Sequence, residues 1–557
     1  MGTEGDDVAR LIEGRLEQHD RNQFEVKLDY TIDRAKAKNR YEVNAYFFLP
    51  KSLGVDAQTY PKAQFYSDIQ AHIRFKTPGL SLQDLARTDA GDSPLGKILR
   101  SLDSPSRGAA RPGQQARLSQ ELRLVGCLMR ANLRDRVRET CRRLRALAQS
   151  NPAAGHELDL LRSEIQALVE EARCVLLKYR LLRTSFSPPR FEASLSETYQ
   201  LVDEYMSLTV EGHLTRLLES LQDATAQGWA VAAETELLGK SILDERAHRR
   251  GFGHESLPAV EGGNETLVYR LGLLKKFVMS VLFLEITRDR DGHGTANFVA
   301  ALAAGLAMLL ATVGSIFVQT RYAMNTLPFV LALTLGYMAK DRVKEWAKLY
   351  LSSKMAPWLS DYRVKVMDPM HGVVVGSCRE RVSMCGKQDL PPAVQSARHG
   401  SRLHTIEAQS KREIVVHYRK QITIYGRKLN GLDGQVDEIN DIIRFSVSHF
   451  LTRMDDPVRS MFAFDEVLRR VREISCRKVY HLNVVFVLQA LDARATPRIE
   501  HARVIMDRGG ILRLESNDPA SRASFPAHSP QAAATEPKEM RSDSVASAAR
   551  ALENPAL

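Results

Sequence analysis

Hydrophobic and polar residues change rhythm three times along this chain. Between residues 24 and 32 they alternate, with Phe24, Val26, Leu28 and Tyr30 on one side and Glu25, Lys27 and Asp29 on the other. Period two marks a strand with one buried face. Residues 41–49 and 69–75 are β-like as well, the latter closed by Thr77-Pro78-Gly79. Together they predict a small antiparallel sheet near the start, after a short amphipathic helix over 6–20. From residue 117 the spacing becomes threes and fours. Leu118, Leu122, Val125, Met129, Leu133, Val137, Leu144 and Leu147 predict a helix over 117–149, and Asn151-Pro152 breaks it. A second amphipathic helix over 157–182 is expected to return along it as an antiparallel pair of coiled-coil character. Helices follow over 193–223 and 229–250. Beyond residue 362 alternation resumes at 362–366, 413–425, 442–451 and 479–491, with a hairpin about Arg508-Gly509-Gly510 and one helix over 465–474. This half reads as a mostly antiparallel β domain.

Between these halves the pattern is neither two nor three-and-a-half. Residues 295–320 carry no charge, and neither do 322–339; Arg321 alone separates them. A membrane-crossing helix needs about 20 predominantly apolar residues, so the two runs predict a transmembrane helical hairpin. Ala296, Ala300, Ala304, Ala307, Ala311 and Ser315 form a stripe of small residues on the first helix. Small faces allow close backbone approach in lipid. This face is expected to receive the second helix, with a partner protein or a second copy as the alternative occupant. Neither run holds an ionisable residue inside it, which argues against an ion pathway.

Charge sets the expected orientation. Lys275 and Lys276 lie upstream, and Lys340, Arg342, Lys344 and Lys348 downstream, with Trp346 and Trp358 among them. Lysine and arginine stay on the cytoplasmic side, and aromatics favour the interface. These eight residues are the candidate membrane contacts. The expectation is a multi-pass protein of the cell (inner) membrane with both termini cytoplasmic. The acidic start, Met-Gly-Thr-Glu-Gly-Asp-Asp, has no basic and apolar segments of a signal peptide. Six scattered cysteines in 557 residues do not form a secreted disulfide framework. A formal net charge of +11 points first to anionic lipid and only then to nucleic acid. Nine arginines on the helix over 117–149 sharpen that question. They either pair with Glu164, Glu170 and Glu171 on the next helix or face lipid headgroups. Stacking aromatics are not interleaved with them, so nucleic acid is not expected.

Candidate chemistry is sparse. Gly91-Asp-Ser-Pro-Leu-Gly96-Lys97-Ile98 has a phosphate loop's glycine and lysine spacing, but Ile98 replaces the hydroxyl that would hold magnesium. Gly239-Lys240-Ser241 has Glu234 where the first glycine belongs. His371, Cys378 and Cys385 recur every seven residues, unlike the close pairs of a zinc site. His399, His404 and His417 are equally loose, and Asp455-Asp456-Pro457 reads as a turn. No catalytic residue, cofactor or metal is assigned.

The expected architecture is therefore an α+β membrane protein. It has a small α+β region at 1–100, a linker at 101–114 and a helical bundle at 115–290. A transmembrane hairpin follows at 295–340, a juxtamembrane helix at 341–361, a mainly β cytoplasmic domain at 362–515 and a disordered tail at 516–557. A membrane-anchored scaffold or partner-binding protein is the expected function. A membrane enzyme with its site in the β domain is the alternative, and an oligomeric channel or transporter subunit the second.

Overall fold

The computed structural model describes residues 12–516, without 90–92, 104–111, 150–154, 187–190, 227–228, 230, 255, 260–261, 292, 324–325, 356–359, 401–412, 430–437, 467–468 and 493–495. The expected linker core and the expected tail fall outside the described residues.

The strands are β1 (Ile12–Gln18), β2 (Gln23–Thr31), β3 (Asn39–Pro50), β4 (Ile69–Phe75), β5 (Glu285–Arg290), β6 (Tyr362–Asp368), β7 (Val373–Cys385), β8 (Glu413–Ile424), β9 (Glu438–Ser446), β10 (Val458–Asp465), β11 (Arg470–Arg477), β12 (Tyr480–Ala490), β13 (Arg498–Asp507) and β14 (Gly510–Ser516). Twelve of them form two antiparallel sheets, one in the order β1-β2-β9-β4 and one in the order β14-β13-β12-β3-β8-β7-β6-β5. The N-terminal strands thus make no sheet of their own. β3 lies between β12 and β8, and β2 pairs with β9. The region expected at 1–100 and the β domain expected at 362–515 are one sandwich. Local alternation shows that a strand has a buried face but not which strand lies beside it.

The sandwich closes on both sides. Leu284 donates its amide to Ile73 O at 2.9 Å, and Ile511 donates to Arg21 O at 2.6 Å. Phe24, Val26, Leu28 and Tyr30 face inward as their alternation requires. β3 is buried on both faces. Tyr41, Val43, Ala45, Phe47 and Leu49 enter the main core, while Tyr46 and Phe48 join Leu390, Val394, Val415 and Val485 under a short helix. Two covered faces explain the unbroken apolar run 45–49. At the β13–β14 turn Gly510 has φ 132°, and a Cβ there would stand 2.5 Å from Arg21 O. Only glycine fits.

The helices are α1 (Lys62–Asp68), α2 (Leu82–Ala86), α3 (Pro94–Asp103), α4 (Pro112–Gln149), α5 (Gly155–Leu181), α6 (Ala193–Ala226), α7 (Ala232–Gly251), α8 (Glu265–Met279), α9 (His293–Arg321), α10 (Leu327–Met355), α11 (Pro392–Gly400), α12 (Gly426–Leu429) and α13 (Ser448–Leu451). α2 to α8 form a bundle inserted between β4 and β5. α4 packs chiefly along α6 rather than along the α5 that follows it, so the expected coiled-coil pair is not the organising unit. The apolar stretch 277–284 buries Val278, Leu282 and Leu284 in the shared core. Two local expectations also change. The helix expected over 6–20 is strand β1 where it is described, and the helix expected over 465–474 is the turn and second strand of the β10–β11 hairpin. Its few residues fit alternation as well as helical spacing, and length cannot separate the two in so short a segment.

α9 and α10 form an antiparallel pair between β5 and β6. The expected transmembrane hairpin is corrected here. Among the described residues one helix, Ala300–Arg321, is long and apolar enough to cross a membrane. In α10 the uncharged part is only residues 327–339, because the helix begins at Leu327. Thirteen residues rise about 20 Å, well short of the ~30 Å hydrocarbon layer. Lys340, Asp341 and Arg342 follow at once. The multi-pass placement with two spans therefore does not stand.

Candidate functional site

Strand register locates the helix pair. β3 and β7 end, and β6, β8 and β12 begin, at one end of the eight-stranded sheet. β5 exits towards that end at Arg290, which pairs with Tyr362 at the start of β6. α9 and α10 therefore leave and return side by side. The bundle enters and leaves at the other end, from Phe75 and back to Phe283 and Leu284.

The root of the pair is clamped by two aspartates. Asp361 accepts from Val382 N at 2.7 Å, Tyr66 OH at 3.0 Å and Lys62 Nζ at 2.6 Å. Asp291 accepts from Ser360 Oγ at 2.6 Å and pairs with Arg363 at 3.5 Å. Below them buried Glu380 pairs with Arg288 and accepts from Tyr418 OH at 3.1 Å. Arg288 lies over the Tyr66 and Tyr362 rings at 5.0 and 4.6 Å. Burial, with the Asp361 carboxylate beside it, pushes the Tyr66 phenol far above its ordinary range.

Beyond the root α9 is bare. Only 11% of its apolar window is buried. α9 runs against α10, and Ala307 of the small-residue stripe is buried, with Ala300, Ala304 and Ala311 half-buried. Leu302, Leu306, Leu309, Leu310, Val313 and Phe317 are exposed. A core helix of a water-soluble domain would be covered on all its apolar sides. Contiguous apolar patches of this kind mark an interaction surface.

The candidate contact residues divide into two groups. Lys340, Arg342, Lys344, Trp346 and Lys348 lie together on the second half of α10. Lys340 stands over the Tyr337 ring at 4.9 Å, and Trp346 is 69% exposed. Trp358 lies outside the described residues. Lys275 and Lys276 are elsewhere, on α8. Partial burial lowers the Lys275 pKa, as do Arg130, Arg444 and Arg74 nearby. The structure does not bring these two lysines to the helix pair. Three of the α4 arginines meet partners on other helices, while Arg138, Arg142 and Arg145 stay exposed. Arg136 pairs with Glu171, Arg143 with Glu164 at 2.7 Å, and Arg123 stands over Phe277 at 5.4 Å.

Two buried charge clusters were not legible as sites. In the bundle, Arg249 is fully buried and pairs with Glu211, with Ser207 Oγ at 2.7 Å. Arg180 joins Asp203 at 3.0 Å and Glu245 at 2.7 Å, and Arg270 joins Glu204 at 2.6 Å. Burial raises the Asp203 pKa, but His248 and Arg180 outweigh it and hold the carboxyl below its ordinary range. Each carboxylate here has a cation, so the cluster fastens α5, α6, α7 and α8. The spacing Asp203, Ser207, Glu211 on α6 was the available signal: polar residues four apart on a face that also packs.

In the sandwich, Lys420 and Asp441 face each other at 2.6 Å, both almost wholly buried. Tyr30 OH donates to Asp441 at 3.4 Å. Burial pushes the neighbouring Cys378 thiol up to about 12. Asp441 and Cys378 line a cavity of about 10 Å³, room for a single water and no substrate.

The remaining motifs separate. Lys97 is helical in α3 and 3.7 Å from Glu121, and Gly239-Lys240-Ser241 lies inside α7, so neither makes a phosphate loop. Cys378 and Cys385 are an odd number of residues apart on β7 and take opposite faces, one in each core cluster. His371 binds Asp368 at 2.6 Å in the turn before β7. His417 stacks on Tyr46 at 4.3 Å, His399 bonds Gln395 O at 2.5 Å, and His404 lies outside the described residues. Asp455 pairs with Lys478 and Asp456 with Arg508 at 2.9 Å. Among the described residues no group of three or more His, Cys, Asp or Glu is placed to hold a metal. Compared with protein-family models, with characterised proteins and with solved structures, the chain finds no match in any of the three.

Proposed function

We propose that this protein is a membrane-attached scaffold whose sandwich and bundle bind a partner at the bilayer surface. The observation that carries the reading is α9, an apolar helix of spanning length that the fold leaves almost uncovered. Its second support is topological. β5, before the pair, is hydrogen-bonded to β6, after it. Both folded parts therefore stay on one face of the bilayer, and α9 is an attachment rather than a passage to the far side. The basic and aromatic second half of α10 suits the headgroup layer.

The test is flotation of the full chain with neutral phosphatidylcholine vesicles, alongside Leu306→Lys/Leu310→Lys/Val313→Lys. The parent should float and resist high salt and carbonate. Lysines on this face remove the apolar contact that holds the helix to the bilayer, so the variant should stay in solution with an unchanged melting temperature. Release of the parent by salt alone, or equal attachment of the variant, would overturn the reading.

A further inference from the structure

The β10–β11 hairpin belongs to neither sheet. Its two strands pair only with each other, and both of its faces are exposed. A lone two-stranded hairpin is marginal in water, and this one carries apolar side chains into solvent. Phe462 is 77% exposed, and Val458, Met461, Phe464 and Val471 are exposed with it. Interleaved with them are Arg459, Arg469, Arg470, Arg472, Arg477 and Lys478. Over residues 458–478 six basic side chains stand against three acidic ones. The turn takes Arg469 to φ 46°, an unusual conformation for a residue with a side chain.

Register fixes where this arm points. β12 runs from Tyr480 and pairs Asn483 with Phe48, two residues before β3 ends at Pro50. The arm therefore leaves the eight-stranded sheet at the end from which α9 and α10 leave. β12 and β6 are four strand spacings apart, roughly 19 Å at 4.8 Å per strand. Ion pairs flank its base, Lys478 with Asp455 and Arg508 with Asp456.

We infer that the β10–β11 arm is a second membrane contact, one that recognises anionic lipid headgroups beside the α9 attachment. The inference rests on the reading of α9 given above. Phenylalanines enter the interfacial layer, and the arginines between them meet the headgroup phosphates and carboxylates. The α9 contact is apolar and takes any bilayer; the arm makes attachment selective for negative surfaces.

The experiment compares full-length protein with Arg459→Gln/Arg470→Gln/Arg472→Gln and with Phe462→Ser/Phe464→Ser. Each is floated with pure phosphatidylcholine vesicles and with vesicles containing 30% phosphatidylserine, at low and high salt. The parent should bind the anionic vesicles more tightly at low salt, and high salt should remove that increment. The arginine variant should lose roughly a hundredfold of it, at about fivefold per charge for three charges, and keep its binding to neutral vesicles. The phenylalanine variant should lose part of the increment in the same way. An increment unchanged in both variants, or absent from the parent, overturns the inference while neutral flotation still supports α9. Loss of neutral flotation in the parent overturns α9 and with it this inference. A detergent-solubilised dimer that these variants dissociate would show the arm to be a contact between copies instead.

Discussion

Lys420 and Asp441 meet in the centre of the sandwich with almost no exposure. Removing one partner leaves the other charged and unsolvated. Asp441→Asn should cost about 3–5 kcal/mol, whereas Lys420→Met/Asp441→Leu should cost far less, since a well-packed apolar pair replaces a buried ion pair at little loss. Chemical denaturation of both variants checks this; equal losses would mean the pair is not the stabilising feature. Burial lowers the Lys420 pKa, but Asp441, Cys378 and Glu380 outweigh it and hold the pKa above its ordinary value. Its contribution is thus present below the ordinary lysine range and lost only as pH rises through the folded value. His417 works on the acid side. Burial, with Arg419 beside it, lowers its pKa to about 4. The unfolded chain takes the proton first, so stability is whole above pH 6.5 and falls as pH drops towards 4. His417→Gln should flatten the decline in melting temperature between pH 6.5 and 4.5. A slope identical to the parent's would refute the assignment.

At the scale of elements, close helix packing depends on Gly126. A Cβ on this α4 residue would stand 2.9 Å from Val278 Cγ1 on α8. Gly126→Leu should therefore prise α8 from the bundle at a cost of about 1–3 kcal/mol. The urea midpoint should fall, with Gly126→Ala between it and the parent; an unchanged midpoint would show α8 to be loosely held. The same scale shows what the sequence makes legible. Helices α4 to α7, strand β2 and the β13–β14 hairpin follow from periodicity, because each buries one face with its own period. Partners are not in the period. β3 reads as one more N-terminal strand, yet it sits between β8 and β12, hundreds of residues away. The second apolar run reads as a span because absence of charge does not reveal where its helix begins. The eight candidate contacts were found by charge near an apolar run. Five of them do converge on α10, whereas Lys275 and Lys276 are drawn aside because α8 leads into β5 and the core. The buried clusters stayed hidden because arginine and glutamate on a helix ordinarily mean a wet face.

For the molecule as a whole, the arrangement is axial: bundle at one end of the sandwich, and helix pair and β arm at the other. The central claim is that α9 attaches the protein to a bilayer while everything it interrupts remains on one face. Impermeant maleimide labelling of sealed vesicles bearing the full chain tests this directly. Leu160→Cys reports the bundle and Ile499→Cys the sandwich, both side chains being exposed, in a background with Cys174, Cys385 and Cys476 changed to Ser. The account predicts that both positions share one fate, labelled together from outside or protected together until detergent is added. One position labelled and the other protected would place the sandwich and the bundle on opposite sides, and the account would be contradicted.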